Sequence, residues 1–193
     1  MEFKAILSNI NKHIQFTREE ADYFTSQLTR VDLNKKEFLI KEGAPCTTFN
    51  YVQQGALRAY YRDSKGNNNI IMFALPDWWV TDMYSFVNKK PAMLNIDALE
   101  DSVILQLRKT DLDKLFIKIP SFERFFRILM QNAYIREQLR VIENLSRPAE
   151  ERYENFLAKY PQVAQRVPLK QIASYLGITP EFLSVVRKKA RKK

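Results

Sequence analysis

Six of the last seven residues, Arg187, Lys188, Lys189, Arg191, Lys192 and Lys193, are cationic, and they follow a stretch, Thr179 to Val186, of mixed polar and apolar character. Clustered cations of this kind neutralise phosphates. If the stretch is helical, Leu183 and Val186 share one face, and Glu181, Ser184, Val185 and Lys188 turn away from it. That outward face is where side chains contacting base edges in a major groove would lie. Val185 can touch a thymine methyl but donates no hydrogen bond. The set expected at phosphates is Lys170, Thr179, Arg187 and Lys189, together with Arg191, Lys192 and Lys193. A solvated basic tail is the bland alternative.

The residues just before this stretch explain how it would be held. Leu169, Ile172, Ala173, Leu176, Ile178, Leu183 and Val186 are apolar at the intervals of two short helices crossing at Gly177. Ala173 allows close approach, Gly177 permits a left-handed turn and Ile178 seals the gap. Thr179 suits an N-cap and Pro180 a first helical position, so the second helix is expected to begin there. This is a helix-turn-helix pattern, although a generic helical hairpin has the same apolar spacing.

Charge agrees with that reading. The chain of 193 residues carries a net charge of +9. Residues 147–193 hold 11 basic and 4 acidic side chains, net +7, against 20 and 18 in the rest. A polyanion is therefore the first partner to consider, and a membrane surface the second.

Several chemistries are disfavoured. One cysteine, Cys46, and one histidine, His13, cannot build a structural zinc site, a cysteine-ligated iron-sulfur cluster or an internal disulfide. Cys46 is expected to be inert and His13 to be a surface helix residue. The glycines stand alone at 43, 55, 66 and 177, which leaves no phosphate-cradling loop or dinucleotide fingerprint. No metal or cofactor is predicted, and nothing points to an enzyme. The absence of a long apolar run, with an opening Met1-Glu2-Phe3-Lys4 unlike a secretory signal, leads us to expect a cytoplasmic protein with no membrane partner.

Further upstream, Ile6, Leu7, Ile10 and Ile14 recur at helical spacing, and Thr17 with Glu20 reads as a capping box opening a helix through Phe24 and Leu28. Beyond Leu33 come short apolar runs: Phe38 to Ile40, Tyr51 to Val52, Leu57 to Tyr61, Ile70 to Leu75 and Val103 to Leu107. Turn residues separate them, as in a small antiparallel barrel or jelly roll. Thr110 with Asp113 reads as the start of a helix ending near Pro120. From Phe122 to Leu145 there is neither glycine nor proline, and Phe125, Ile128, Asn132, Ile135, Leu139 and Ile142 trace a seam of heptad type. That seam is expected to meet a second copy, with Asn132 fixing register.

The order of these parts resembles the Crp/Fnr transcription regulators. The resemblance rests on Lys41-Glu42-Gly43, Val52-Gln53-Gln54-Gly55, the Leu75-Pro76-Asp77 turn, Ala98-Leu99-Glu100-Asp101 before a strand, the long helix and the terminal helix-turn-helix. The segment Ile172 to Glu181 is similar to Bacteroidetes-type members. The resemblance implies an α+β chain with three parts: an N-terminal double-stranded β-helix, a cyclic-nucleotide-binding-like jelly roll, over 1–120; a dimerisation helix over 121–146; and a DNA-binding domain over 147–193. The last part is expected to be a reduced winged helix, with Val163 to Val167 supplying short strands and no room for the hairpin wing.

The same resemblance implies a departure. Cyclic-nucleotide binders of the family hold the ribose with a Gly-Glu carboxylate, and the phosphate with the arginine and backbone amides of a Pro-Arg-Ser/Thr-Ala segment. Here the corresponding stretches read Val80-Thr81-Asp82-Met83 and Pro91-Ala92-Met93-Leu94. Ala92 stands at the arginine position and cannot make a charge-assisted phosphate contact, so cyclic AMP is not expected by the usual geometry. Trp79, Asp82, Met83, Tyr84, Ala92 and Met93 remain as a candidate pocket for an unidentified effector, or simply as barrel filling. The reading as a whole is a homodimeric regulator that binds double-stranded DNA sequence-specifically. The alternative is a ligand- or partner-binding module that meets nucleic acid or anionic surfaces nonspecifically.

Overall fold

A computed structural model describes residues 2–190. Ile6 and Ile10 lie about one turn apart on α1 (Lys4–Asn11) and are fully buried, so the helix is pinned by one stripe. In α2 (Arg18–Ser26) the capping box forms: the Thr17 hydroxyl accepts the Glu20 amide, and the Glu20 carboxylate accepts the Thr17 amide. The helix stops at Ser26 instead of running through Leu28, because Leu28 opens β1 (Leu28–Leu33) and pairs with Leu107.

Two four-stranded antiparallel sheets form the jelly roll. One has the order β1, β8 (Ser102–Arg108), β3 (Thr48–Gln54), β6 (Trp79–Val80). The other has the order β2 (Phe38–Ile40), β7 (Asn95–Ala98), β4 (Leu57–Arg62), β5 (Asn68–Ala74). Strand β7 has no alternating apolar signature because Asn95 and Asp97 interrupt it, yet both are buried. Asp97 sits opposite Arg58 in the ladder and accepts two parallel bonds from its guanidinium, at 2.7 and 2.8 Å. That pairing makes burial of the carboxylate tolerable and holds the Arg58 pKa above its ordinary value. Gly55 turns β3 into β4 with φ +93°, and a side chain there would collide with Ser102.

The short helix α3 (Met83–Asn88) crosses one end of the roll, and α4 (Lys109–Lys118) follows β8 directly. The expected cap at Thr110 does not form. The helix begins at Lys109, after the extended Arg108, and Asp113 is spent on an ion pair with Lys109.

Helix α5 (Ser121–Ser146) then leaves the barrel. Its first turns are core: Phe122 is 0% and Phe125 1% exposed, and Phe126 packs edge-on against Trp79 and Phe49. Phe125 therefore does not belong to an intermolecular seam. Its ring lies against Trp79 and Phe126 inside the chain, where burial contributes about 1.5–3 kcal/mol. Leu129 and Met130 still pack against the barrel core, and further along the apolar side chains turn outward, with Ile135, Leu139 and Ile142 each about half exposed.

Arg147 and Pro148 are extended and break the chain direction. Four helices follow: α6 (Ala149–Lys159), α7 (Pro161–Arg166), α8 (Leu169–Tyr175) and α9 (Pro180–Ala190). The stretch from Val163 to Val167 is not a strand: Pro161 occupies a first helical position, which suits its fixed φ, and the segment to Arg166 is helical. The core of this part is not self-contained. Tyr153, Phe156, Ile172 and Leu183 form one buried cluster with Tyr60, Ile70, Phe73 and Leu75 of the barrel.

Candidate nucleic-acid interface

The turn between α8 and α9 is built from local hydrogen bonds. Gly177 takes φ +66°, its amide reaches the Ser174 carbonyl at 3.1 Å, and the Ile178 amide reaches the Ala173 carbonyl at 3.0 Å. This paired pattern is the Schellman termination, which needs a left-handed residue at that place. The Leu176 carbonyl, left over at the helix end, accepts Arg152 Nη1 at 2.5 Å, and the same nitrogen donates to Asn144 on α5 at 2.7 Å. One guanidinium thus ties the long helix to the turn. The Thr179 hydroxyl then accepts the Phe182 amide at 3.2 Å and caps α9, with Pro180 in the first helical position.

Leu183 and Val186 are buried, at 0% and 1% exposure. Glu181, Ser184, Val185 and Lys188 are exposed together on the opposite side of α9. The Ser184 hydroxyl donates back to the Pro180 carbonyl at 2.9 Å and keeps its acceptor capacity free. Phe182, which the sequence reading did not single out, is 44% exposed on the first turn.

The cations fall into three groups. Lys170 is exposed at the start of α8, and Arg187 is half-buried. Lys189 is turned toward Glu150 of α6, 3.3 Å away, in an exposed pair that contributes little to stability and gives way readily. Arg191, Lys192 and Lys193 lie outside the described residues.

Two contacts clamp this region to the barrel. The Ser174 hydroxyl donates to the Asn68 carbonyl at 2.8 Å and accepts the Ile70 amide at 3.0 Å, so it satisfies the free edge of β5. Arg140 Nη1 donates to the Ile71 carbonyl at 2.6 Å while its guanidinium lies 5.1 Å over the Tyr175 ring. Burial pushes the Tyr175 hydroxyl pKa up. Beside the clamp, a cleft of about 730 Å³ separates the β4–β5 hairpin from the beginnings of α8 and α9, with Lys170, Thr179 and Glu181 on its wall. Neither Ser174 nor Arg152 could be singled out from the sequence, because each acts on backbone groups distant along the chain.

The candidate effector pocket is not assembled as one cavity. Trp79 and Ala92 are buried in the barrel core, Tyr84 and Met93 are about half exposed, and Met83 lines a separate groove. Asp82 is 1% exposed and N-caps α3 by accepting the Ser85 amide at 2.9 Å. Its other oxygen accepts the amides of Met93 and Leu94, at 2.7 and 2.8 Å. An internal carboxylate therefore already occupies the amides at the end of the Pro91–Leu94 segment. Cys46 is buried, its sulfur 3.1 Å from the Thr81 hydroxyl. His13 is exposed just beyond the last turn of α1, its ring centroid 5.9 Å from that of Phe125. No group of three or more His, Cys, Asp or Glu side chains among the described residues is placed to hold a metal ion. No helix among them is long and apolar enough to cross a membrane.

Comparison with known proteins agrees with this architecture. Residues 30–118 match the family described as cyclic nucleotide-binding domain. The transcriptional regulatory protein btr of Bordetella pertussis is 25% identical over 177 residues, covering 86% of this chain and 72% of the relative. Among solved structures, FixK2 from Bradyrhizobium japonicum superposes with a TM-score of 0.71 at 23% identity, covering 86% of this chain and 85% of that one. CLP from Xanthomonas campestris, described as a c-di-GMP responsive global regulator, gives 0.74 at 15% identity over 91% and 92%. At these identities the structures speak for the fold alone. The matched residues run from β1 through α4 and so take in most of the barrel. Joined to the long helix and the terminal helix-turn-helix, the barrel gives a chain that shares the fold of FixK2 and CLP.

Proposed function

We propose that the protein is a homodimeric transcription regulator that reads double-stranded DNA through α9. The observation that carries this reading is the division of α9 into a buried edge, Leu183 and Val186, and an open edge bearing Glu181, Ser184, Val185 and Lys188. Carboxylate, hydroxyl and methyl groups on one exposed helix face match the donor, acceptor and methyl pattern of a major groove. Lys170, Thr179, Arg187 and Lys189 flank that face and serve the phosphates, with Arg191, Lys192 and Lys193 extending the charge.

The dimer is assigned to the outward part of α5, from Ile128 through Asn132, Ile135 and Leu139 to Ile142. Ile135, Leu139 and Ile142, each about half exposed, leave an apolar stripe that a second copy would cover. Two α9 helices held by that stripe would enter successive major grooves about 34 Å apart. The barrel is read as a sensor domain in which Asp82 supplies the anion that a cyclic phosphate supplies elsewhere in the family. Ala92 provides no guanidinium to bring one in. The segment at Ser146–Pro148 serves as the hinge through which an effector would shift the arrangement of the DNA-binding parts.

The test is selection of bound duplexes from a random pool at physiological salt. The expected result is enrichment of a pseudo-palindrome whose half-sites are one helical turn apart. A bound fraction as varied as the starting pool would support a nonspecific polyanion-binding module instead.

A further inference from the structure

Between α3 and the start of α4 lies a second opening that the DNA-binding reading does not use. It has two arms that share Phe86, Lys109 and Asp113. The first arm, about 380 Å³, has Pro45, Cys46 and Phe86 at its surface and the basic residues Lys89, Lys90 and Arg108 around it. The second, about 280 Å³, is an apolar groove walled by Met83 of α3, Leu112 and Phe116 of α4, and Phe126 and Met130 of α5. Such volumes are of the order of small-molecule sites, roughly 300–1,000 Å³.

The charge balance around the opening is uneven. Asp113 is paired with Lys109, and Glu123 and Arg127, of opposite charge, both line the groove. Lys89, Lys90 and Arg108 make no ion pair among the described residues, and the first two are adjacent in sequence. Unpaired like charges around one cleft repel one another and concentrate anions there. Lys89 also holds φ 56° at the C-cap of α3, a conformation uncommon for a residue with a β-carbon and better suited to glycine or asparagine. Cationic side chains therefore mark one arm and a methionine-lined apolar trough the other. Methionine adapts readily to unbranched apolar chains.

We infer that this two-armed cleft binds a single-chain acidic amphiphile, its carboxylate or phosphate headgroup at Lys89, Lys90 and Arg108 and its apolar chain along Met83, Phe116 and Met130. The site is independent of α9 and of the amides held by Asp82. Because Trp79 stacks on Phe49 and meets Phe126 edge-on, and both rings line the apolar arm, tryptophan fluorescence reports occupancy.

The experiment titrates the full-length protein with monomeric dodecanoate and, separately, dodecyl phosphate, by calorimetry and tryptophan fluorescence. Dodecanol and dodecyltrimethylammonium serve as neutral and cationic controls. The expected result is saturable binding, one per chain, of at least one acidic probe. The Lys89→Ala/Lys90→Ala/Arg108→Ala variant should bind about tenfold or more weakly. Met83→Glu, a change at an exposed position, should weaken binding by a similar factor of about ten, with unchanged thermal unfolding showing that both variants are folded. Equal binding of the neutral or cationic probe, equal binding by the triple variant, or no saturable binding of either acid would overturn the assignment. Capture by phosphatidylglycerol vesicles without binding of a monomeric probe would also overturn it and would mark a lipid surface instead. None of these outcomes bears on duplex selection, so the two proposals fail separately.

Discussion

The Asp82 carboxylate and the Glu181 carboxylate both stand beside the start of a helix, yet their surroundings differ completely. Asp82 is 1% exposed, and its two oxygens are committed to the amides of Ser85, Met93 and Leu94. Glu181 is exposed beside a large cleft, with the hydroxyl of Ser184 one turn further on the same open edge. A polar group buried and fully bonded stabilises its own fold, whereas removing it strands its partners. One held open on a rigid helix is available to an outside molecule. The barrel end of the chain has satisfied its anion-seeking amides internally, and the α9 end keeps its polar groups exposed.

The largest effect that sharpens this contrast concerns the open region. Replacing Ile135 by lysine puts a charge in the centre of the outward stripe of α5, and we expect monomers by light scattering. Losing the second α9 helix should reduce affinity for the selected duplex by roughly 10²–10⁴-fold, the usual gain from tethering two sites. An unchanged dimer would move the interface elsewhere.

Next in size is the closed region. Asp82→Ala removes three hydrogen bonds to backbone amides and leaves buried donors unpaired, which should lower unfolding stability by about 2–4 kcal/mol. Chemical denaturation measures this loss directly. A variant as stable as the parent would show that the carboxylate is not the internal anion described here.

The smallest expected effect is at the tip of the β4–β5 hairpin. The Asp63 carboxylate accepts the backbone amide and then the side-chain amide of Asn67, and its pKa is held below the ordinary 3.8. A lowered folded value means that this contribution to the turn is complete above 3.8 and is lost as pH falls through the folded pKa. The Asn67 amide resonance should titrate below the ordinary carboxylate value. A midpoint at or above that value would contradict the bonding.

The features legible in the sequence were those that short-range chemistry determines. Thr17 with Glu20, and Thr179 with Pro180, announce helix starts because the bonds involved close within three residues. Gly177 announces the turn because few other residues accept its φ. Strand β7 was not legible, since Asn95 and Asp97 break the apolar alternation and only the distant Arg58 makes Asp97 tolerable there. Heptad spacing placed Phe125 on the same stripe as Ile135, but periodicity cannot tell which turns of a long helix face the chain's own core. Barrel and tail alike supply the buried cluster around Phe156, so a boundary drawn at residue 147 separates chain segments more cleanly than it separates cores. The clamps made by Ser174, Arg140 and Arg152 are likewise long-range and carry no local signature.

The most direct test of base reading by α9 is a base-by-base affinity comparison on the selected duplex, for the parent protein and for Glu181→Ala and Ser184→Ala. The account predicts that each variant loses discrimination at one base pair per half-site, worth about 1–3 kcal/mol, while its affinity for unrelated duplexes is nearly unchanged. Equal weakening on every duplex, with discrimination intact, would contradict it.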